Sequence, residues 1–350
     1  MSFLILSMHH MSLIEENIIM APFTTLGVGG PARYFARASS VEDIKDIVKF
    51  AKRKKTPLIP IGGGSNILVS DEGVQGMVVK MEIPGISFNN EEKDSILMKV
   101  FAGEDWDKVV ERSVSAGLYG LENLSGIPGT AGAAPVQNIG AYGVEISGLV
   151  FEVEVYDAKE EKFTVFKNEE CSFGYRESIF KNSPGRFLIT SVIMKLSKRP
   201  YFVSDYKDIS ERMSSGNYSQ DGAGMREMVL DIRSKKFPDE EGTGSVGSFF
   251  KNPVLSSDDL QKVKMKFPDI PFYPHGSGYF KVPLAWILDK LLKVRGLRHG
   301  NVGLFDSQPL VLVAYNGATQ KEIFAFAEEI KKGVKDATGI EVDYEVKLLS

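Results

Sequence analysis

Residues 126–143 read GIPGTAGAAPVQNIGAYG, eighteen residues with five glycines, four alanines, two prolines and no charge. With so few side chains in the way, a ligand can come close to the backbone. Successive N–H groups in glycine-rich turns form anion-binding concavities, so a diphosphate is the natural guest. A flexible linker is the competing reading, but linkers of that kind are Gly/Ser-rich and polar. Here Ile127, Val136, Ile139 and Tyr142 are spaced to anchor the segment in a core, and Gln137 and Asn138 offer amides suited to a heterocycle.

On either side, strand and helix patterns interleave. Residues 24–39 read as a turn leading into a strand, and 41–54 carry Val41, Ile44, Ile47, Val48 and Ala51 at helical spacing. PLIPIGGG reads as a strand running into a glycine turn, and 77–81 and 95–103 as strands. Residues 106–118 read as a helix ending at Gly117; 150–158, 162–167 and 187–196 read as strands. Residues 200–222 are polar, aromatic and turn-rich, the best candidate for a mobile loop. Residues 222–237 read as a helix, 238–254 as a second glycine-rich turn, 284–292 as a helix and 308–315 as a strand. Residues 320–339 read as a helix with Gly339 just past its end, and 340–349 as a closing strand.

Composition narrows the classes. The chain has 350 residues, enough for two or three domains, and a net charge of −4, which argues against a broad nucleic-acid footprint. One cysteine, Cys171, suits a reducing compartment and rules out a cysteine metal cluster. The four histidines show no HxH or HExxH spacing, so no metal is expected. No Lys or Arg precedes Arg33, so the basic start of a signal peptide is missing, and no apolar run approaches a membrane span. A cytoplasmic protein follows as the expectation.

Four further segments carry candidate chemistry. PIGGGSN (60–66) matches neither GxGxxG nor a P-loop; paired with 126–143, it makes a second loop that clasps the other end of one diphosphate, whereas alone it is a tight turn. In CSFGYRESIFK (171–181), Arg176 lies among apolar and aromatic residues. Its planar fork suits a carboxylate, or it makes a structural salt bridge, for instance with Glu177. GSVGSFFKNP (244–253) presents Ser248 on a glycine turn. Phe250 stands where a nucleophile elbow needs glycine and no histidine lies within twenty-five residues, which leans toward a serine that hands over a proton rather than one that attacks. Glu345 in DYEVKLL carries the weakest signal, because a carboxylate on a final strand often faces solvent.

Taken in order, TTLGVGGPA, PIGGGSN, GIPGTAGAAPVQNIGAYGVEI, FGYRESIFK, GSFFKNP and YEVKLL make the chain resemble the UDP-N-acetylenolpyruvoylglucosamine reductase (MurB) family, from about Thr24 to the C-terminus. The resemblance implies an α+β fold: an FAD-binding PCMH-type module of two subdomains plus a smaller α+β substrate-binding domain. It divides the chain into an N-terminal extension (1–20), the FAD-binding domain (21–199), a capping loop (200–222), a UDP-sugar domain (223–337) and a C-terminal strand (338–350) returning to the active site. It implies NADPH-dependent, FAD-mediated reduction of UDP-N-acetylglucosamine enolpyruvate to UDP-N-acetylmuramate in peptidoglycan biosynthesis. Arg176 and Glu345 would assist the charge redistribution, and Ser248 would protonate C2. Gly62, Gly63, Gly64, Ser65, Asn66, Gly129, Thr130, Gly132, Ala133, Gln137, Asn138 and Gly140 would bind FAD. Lys236, in the basic patch RSKK (233–236), and Asn252 match positions that contact the UDP-sugar, and Tyr206 matches a tyrosine that folds over it, with Tyr201 and Tyr218 as alternatives. LFDSQPLVLV (304–313) aligns only loosely, which leaves Gln308 outside the set.

Related flavoproteins often attach FAD through a histidine near the diphosphate loops. None occurs between His10 and His275, so non-covalent FAD is expected. A monomer is expected, with no nucleic acid or membrane partner. The alternatives are another FAD oxidoreductase of the same superfamily, or a UDP-sugar-binding relative without turnover; the GSFFKNP serine and the basic patch speak against the first, and Arg176, Ser248 and Glu345 together against the second.

Overall fold

A computed structural model describes residues 13–214, 216–238 and 242–350, so most of the expected N-terminal extension lies outside the described residues. Chain contacts group into two compact units. One takes residues up to Ile18, Ala32–Gly64 and Gln75–Arg233; the other takes Ile19–Pro31, Ser65–Val74 and Ser234–Ser350.

The first unit is built on two larger sheets. One is four-stranded, in the order Ile14–Ile19, Pro31–Ala38, Val74–Met81, Leu58–Ile61, with the last two parallel. Helix Val41–Lys54 covers it, burying Ile44, Ile47, Val48 and Ala51 against Tyr34, Met77 and Val79. A capping box starts this helix: Ser40 accepts from the Asp43 amide, and Asp43 accepts from the Ser40 amide. Lys55, left-handed at φ 51°, ends it. The second sheet is five-stranded and antiparallel, in the order Lys162–Lys167, Val150–Asp157, Phe187–Ser197, Ser95–Phe101, Ile86–Asn89. Helix Trp106–Ser115 packs Trp106, Val109 and Val110 into its core.

Segment 200–222, read as a loop, contains a helix, Lys207–Ser214, whose one fully buried side chain is Ile209. One apolar contact per two turns is too sparse to show as periodicity. The next helix, Gly222–Ser234, groups through Arg233 with the first unit.

The second unit is built on a four-stranded sheet in the order Thr243–Ser248, Gln308–Tyr315, Val302–Phe305, Arg298–His299. Helix Gln320–Thr338 packs Ile323, Phe326, Ala327, Ile330 and Val334 into the core and ends at Gly339, φ 77°. Three expectations change here. Residues 243–248, read as part of a turn, form a strand, because a glycine-rich strand with a bulge shows little period-2 pattern. The expected helix 284–292 is one α-turn, Leu284–Trp286, followed by a π-turn, Ile287–Leu291, in which Leu292 N–H bonds the Ile287 carbonyl. The closing strand is only Lys347–Leu349, parallel to Ile67–Val69.

Candidate active site

In the first unit the two glycine loops interlock. A Cβ added at Gly62 would stand 2.4 Å from Thr130 Oγ1, and one at Gly63 would stand 3.0 Å from the Gly129 Cα, so only glycine admits this approach. The 129–134 turn is stitched to the connection between the strand Ser95–Phe101 and the helix Trp106–Ser115: Trp106 N–H bonds the Gly129 carbonyl, Ala131 N–H bonds the Glu104 carbonyl and Gly132 N–H bonds the Ala102 carbonyl. Thr130 Oγ1 is buried, aimed at Gly62, with no hydrogen-bond partner among the described residues. A buried hydroxyl left so carries a penalty that a phosphate oxygen would lift. The loop pair therefore fits the diphosphate of FAD. Gly132 serves by packing, since a Cβ there would stand 2.5 Å from that of Ala102.

The rest of the segment is held from outside. Gly126 is gripped at both backbone groups: its N–H donates to Asp107 Oδ1 (2.6 Å) and its carbonyl accepts from Arg233 Nε (3.0 Å). Arg226 holds Asp107 in a bidentate pair at 2.6 and 2.7 Å, and this bond keeps the Asp107 carboxyl below its usual range. Arg233 also hydrogen-bonds Tyr142, so one guanidinium joins the two ends of the glycine segment. Burial lowers the Arg233 pKa and pushes the Tyr142 hydroxyl up to about 12. The basic patch thus loses Arg233, which turns inward and works as a staple.

The amide of Asn138, expected to meet the heterocycle, is engaged inside the protein. Its Nδ2 donates to Glu145 (2.8 Å) and to the Gly174 carbonyl (3.0 Å), and its Oδ1 accepts from Ser147 N–H (3.0 Å). Its backbone is left-handed at φ 43°, as is that of Tyr142 at φ 48°, a conformation costly for side-chain-bearing residues and found where surrounding structure imposes it. Gln137 is half-buried beside it.

Arg176 sits at the second central position of a tight turn closed by Gly174 and Glu177, again left-handed at φ 56°. Its guanidinium donates to the Gly140 carbonyl at 3.1 Å, with Asn138 O at 3.5 Å, and Lys181 Nζ holds the Arg176 carbonyl. Arg176 is half-buried rather than buried, and the structure braces it on the glycine segment, while Glu177 pairs with Lys181.

Tyr206 is 47% exposed and packs edge-on against Tyr142, centroids 5.4 Å apart. Tyr218, an alternative, has its hydroxyl bound to Asp231 (2.9 Å) and Arg212 (3.2 Å), which ties it down. Tyr201 is 46% exposed.

In the second unit, Ser248 ends the strand Thr243–Ser248 just past a bulge: Ser245 pairs with Val313, but Ser248 pairs with Val311. Gly247 takes φ 73° there, and such a bulge re-aims the residue after it. The C-terminal segment runs alongside. Glu345 N–H bonds the Phe249 carbonyl (2.9 Å), Lys251 N–H bonds Asp343, and Phe250 bridges Tyr344, so Glu345 lies one backbone bond from the residue after Ser248. Asn66 anchors the same segment: its Nδ2 donates to the Glu345 carbonyl (3.2 Å) and its own carbonyl accepts from Lys347 N–H (3.0 Å). Ser65 beside it is half-buried. Asn252 Oδ1 accepts from Leu284 N–H (2.9 Å), and Lys236 is half-buried in a turn after the helix Gly222–Ser234. Gln308 opens the strand that pairs with Ser248, and its Oε1 is buried without a partner among the described residues. Its loose motif match had hidden that. Among the described residues no cluster could hold a metal ion, and no helix is long and apolar enough to cross a membrane.

Interlocked glycine loops on a strand-and-helix unit mark a flavin-binding protein, and a model described as "FAD binding domain" matches residues 32–164. A model described as "UDP-N-acetylenolpyruvoylglucosamine reductase, C-terminal domain" matches residues 238–349. The reductase of that name from Pseudomonas aeruginosa is 38% identical over 336 residues, covering 96% of this chain and 98% of its own. That of Flavobacterium johnsoniae is 37% identical, covering 96% and 99%. The crystal structure of the Thermus caldophilus reductase (MurB) superimposes with a TM-score of 0.65 at 25% identity, covering 96% and 98%. A VAO-type flavoprotein from Myceliophthora thermophila shares the fold at a TM-score of 0.51 and 14% identity, covering 90% of this chain and 73% of its own. The chain belongs to the UDP-N-acetylenolpyruvoylglucosamine reductase family. It is an FAD-dependent oxidoreductase with an α+β fold, acting in peptidoglycan synthesis by reducing the enolpyruvyl ether of UDP-N-acetylglucosamine.

Proposed function

We propose that NADPH is the electron source of this reduction and that Ser248 is its proton donor. Non-covalently bound FAD, once reduced by NADPH, would supply the hydride that reaches C3 of the enolpyruvyl group. Negative charge then grows at C2, next to the substrate carboxylate. Ser248 passes its Oγ proton to C2 and recovers one from solvent. A serine hydroxyl gives up a proton only to a strongly basic acceptor, and a carbanion-like C2 is one. Arg176 steadies the enolate charge with its guanidinium, preorganised by the Gly140 carbonyl. Glu345 completes the polar surroundings of the serine, Lys236 and Asn252 take the UDP-sugar, and Tyr206 caps it.

The observation that carries this reading is the backbone bond from Glu345 N–H to Phe249 O, which puts the carboxylate residue beside the serine. Cys171 fits a reducing compartment, and we take the protein to act in the cytoplasm as a monomer. Stopped-flow spectroscopy of Ser248→Ala tests the assignment. Flavin reduction by NADPH should keep its wild-type rate, while reoxidation by the enolpyruvyl substrate slows by about 10²–10⁴, the usual worth of a general acid. Reoxidation at the wild-type rate would remove Ser248 from the chemistry.

A further inference from the structure

The short turn Glu122–Leu124 meets both ends of segment 200–222. Asn123 is 3% exposed and unable to reach solvent, yet its Nδ2 donates to two carbonyls at once: Tyr142 (2.8 Å), at the end of the glycine segment, and Val203 (2.9 Å), at the start of the cap. Tyr142 is also the residue whose ring carries Tyr206. One amide nitrogen therefore fixes both the floor under Tyr206 and the chain three residues before it.

The neighbouring residue meets the other end of the cap. Glu122 is 2% exposed; its Oε2 accepts from Gly120 N–H (2.7 Å), and its Oε1 is buried with no hydrogen-bond partner among the described residues. That oxygen lies 3.4 Å from where a Cβ on Gly222 would stand, and Gly222 opens the helix that follows the cap. Phe202 packs edge-on against Tyr119 (5.8 Å), closing the same corner. Consecutive residues thus receive both ends of one segment.

We propose that Asn123 is a positioning residue for the reductase reaction, holding the Tyr206 cap in register with the glycine segment, with Glu122 seating the cap's far end. Asparagine is the fitting choice, because a buried site with two carbonyl acceptors needs two N–H donors on one short, uncharged side chain. The role acts through Tyr206, so it rests on the cap reading given above.

A double-mutant cycle in the FAD-loaded enzyme tests it. Asn123→Ala should raise KM for the enolpyruvyl UDP-sugar about tenfold, the order expected when a shared buried donor is removed, at unchanged FAD content. Combined with Tyr206→Ala it should add nothing to the KM of Tyr206→Ala alone, since coupled residues are not additive. Asn123→Ser, which keeps one donor, provides the second measurement if the alanine variant fails to fold, and its KM should fall between the two. Additive KM effects, or loss of FAD in step with the rise in KM, would overturn the proposal. If Tyr206→Ala itself leaves KM unchanged, the cap reading falls, and the role of Asn123 falls with it.

Discussion

The glycine segment 126–143 and the cap segment 201–222 both lack long regular elements, yet they are opposites physically. In the first, a Cβ at Gly126 would stand 3.0 Å from the Leu230 side chain, and Asn138 is 1% exposed. In the second, Tyr201, Tyr206 and Met213 are 46%, 47% and 36% exposed, and nothing lies within 4 Å of a Cβ on Gly216. The glycine segment has backbone groups satisfied by Asp107, Arg233, Glu104 and Ala102. The Asn123 amide ties the cap, at the Val203 carbonyl, to the end of the glycine segment, at the Tyr142 carbonyl. Rigidity follows from where the backbone partners lie, not from helix or strand content. A segment with no room for a methyl group suits a cofactor that stays, and one fastened at its ends suits a substrate that comes and goes.

The largest expected effect breaks the rigid side. Gly62→Ala drives a methyl into Thr130 Oγ1, with the Ala133 Cβ 3.0 Å from the same point, and should lower bound flavin more than tenfold. Gly148→Ala, where nothing lies within 4 Å, should keep full flavin content by the absorbance of the purified protein. If both variants keep their flavin, the interlock is not what holds it.

On the open side, Tyr206→Ala should raise KM for the UDP-sugar about tenfold, the scale of a lost aromatic contact with its hydrogen bonding, while kcat changes less. Tyr218→Phe sharpens the choice between tyrosines. Its hydroxyl serves Asp231 and Arg212, so the loss should appear as about 1 kcal/mol of stability in urea unfolding, with KM unmoved. A raised KM in Tyr218→Phe would make Tyr218 part of the cap.

The smallest effect concerns the turn between the two regions. Burial raises the Glu122 pKa, so the folded state prefers its neutral form. A carboxyl raised on folding gives stability that is whole below its unfolded value and is lost as pH rises through the folded value. Glu122→Gln lacks that loss. Its melting temperature should gain on the wild type as pH climbs from the ordinary glutamate range toward neutrality, and match it in acid. A constant difference across that window would place the carboxylate in water.

How much of this was legible in the sequence follows the same division. Helix Val41–Lys54 was readable to the residue, because its apolar stripe of Val41, Ile44, Ile47, Val48 and Ala51 is a local signal. Gly339 marked the end of the last long helix for the same reason. The glycine loops were legible as a pair, since only a close approach explains so many missing side chains. The strand Thr243–Ser248 was not, because Gly244 and Gly247 remove the alternation that a strand shows. Nor was the inward turn of Arg233: RSKK looks solvated until the Gly126 carbonyl is seen to face it. Asn138 was read as a ligand for the heterocycle, while its amide braces the Gly174 turn behind Arg176. Asn123 gave no signal, for its meaning lies in two carbonyls nineteen and eighty residues away. Local chemistry shows in a sequence; the partners of a buried polar group do not.

The division between a rigid cofactor cradle and an open substrate cap is tested most directly by titrating FAD into flavin-free Gly62→Ala and Tyr206→Ala and measuring KM for the enolpyruvyl UDP-sugar on the FAD-saturated proteins. The account predicts a weakened FAD Kd in Gly62→Ala alone, and in Tyr206→Ala a wild-type Kd with a raised KM. Equal losses of FAD and substrate affinity in both variants would contradict it, leaving Tyr206 a structural residue and the two segments one structural block.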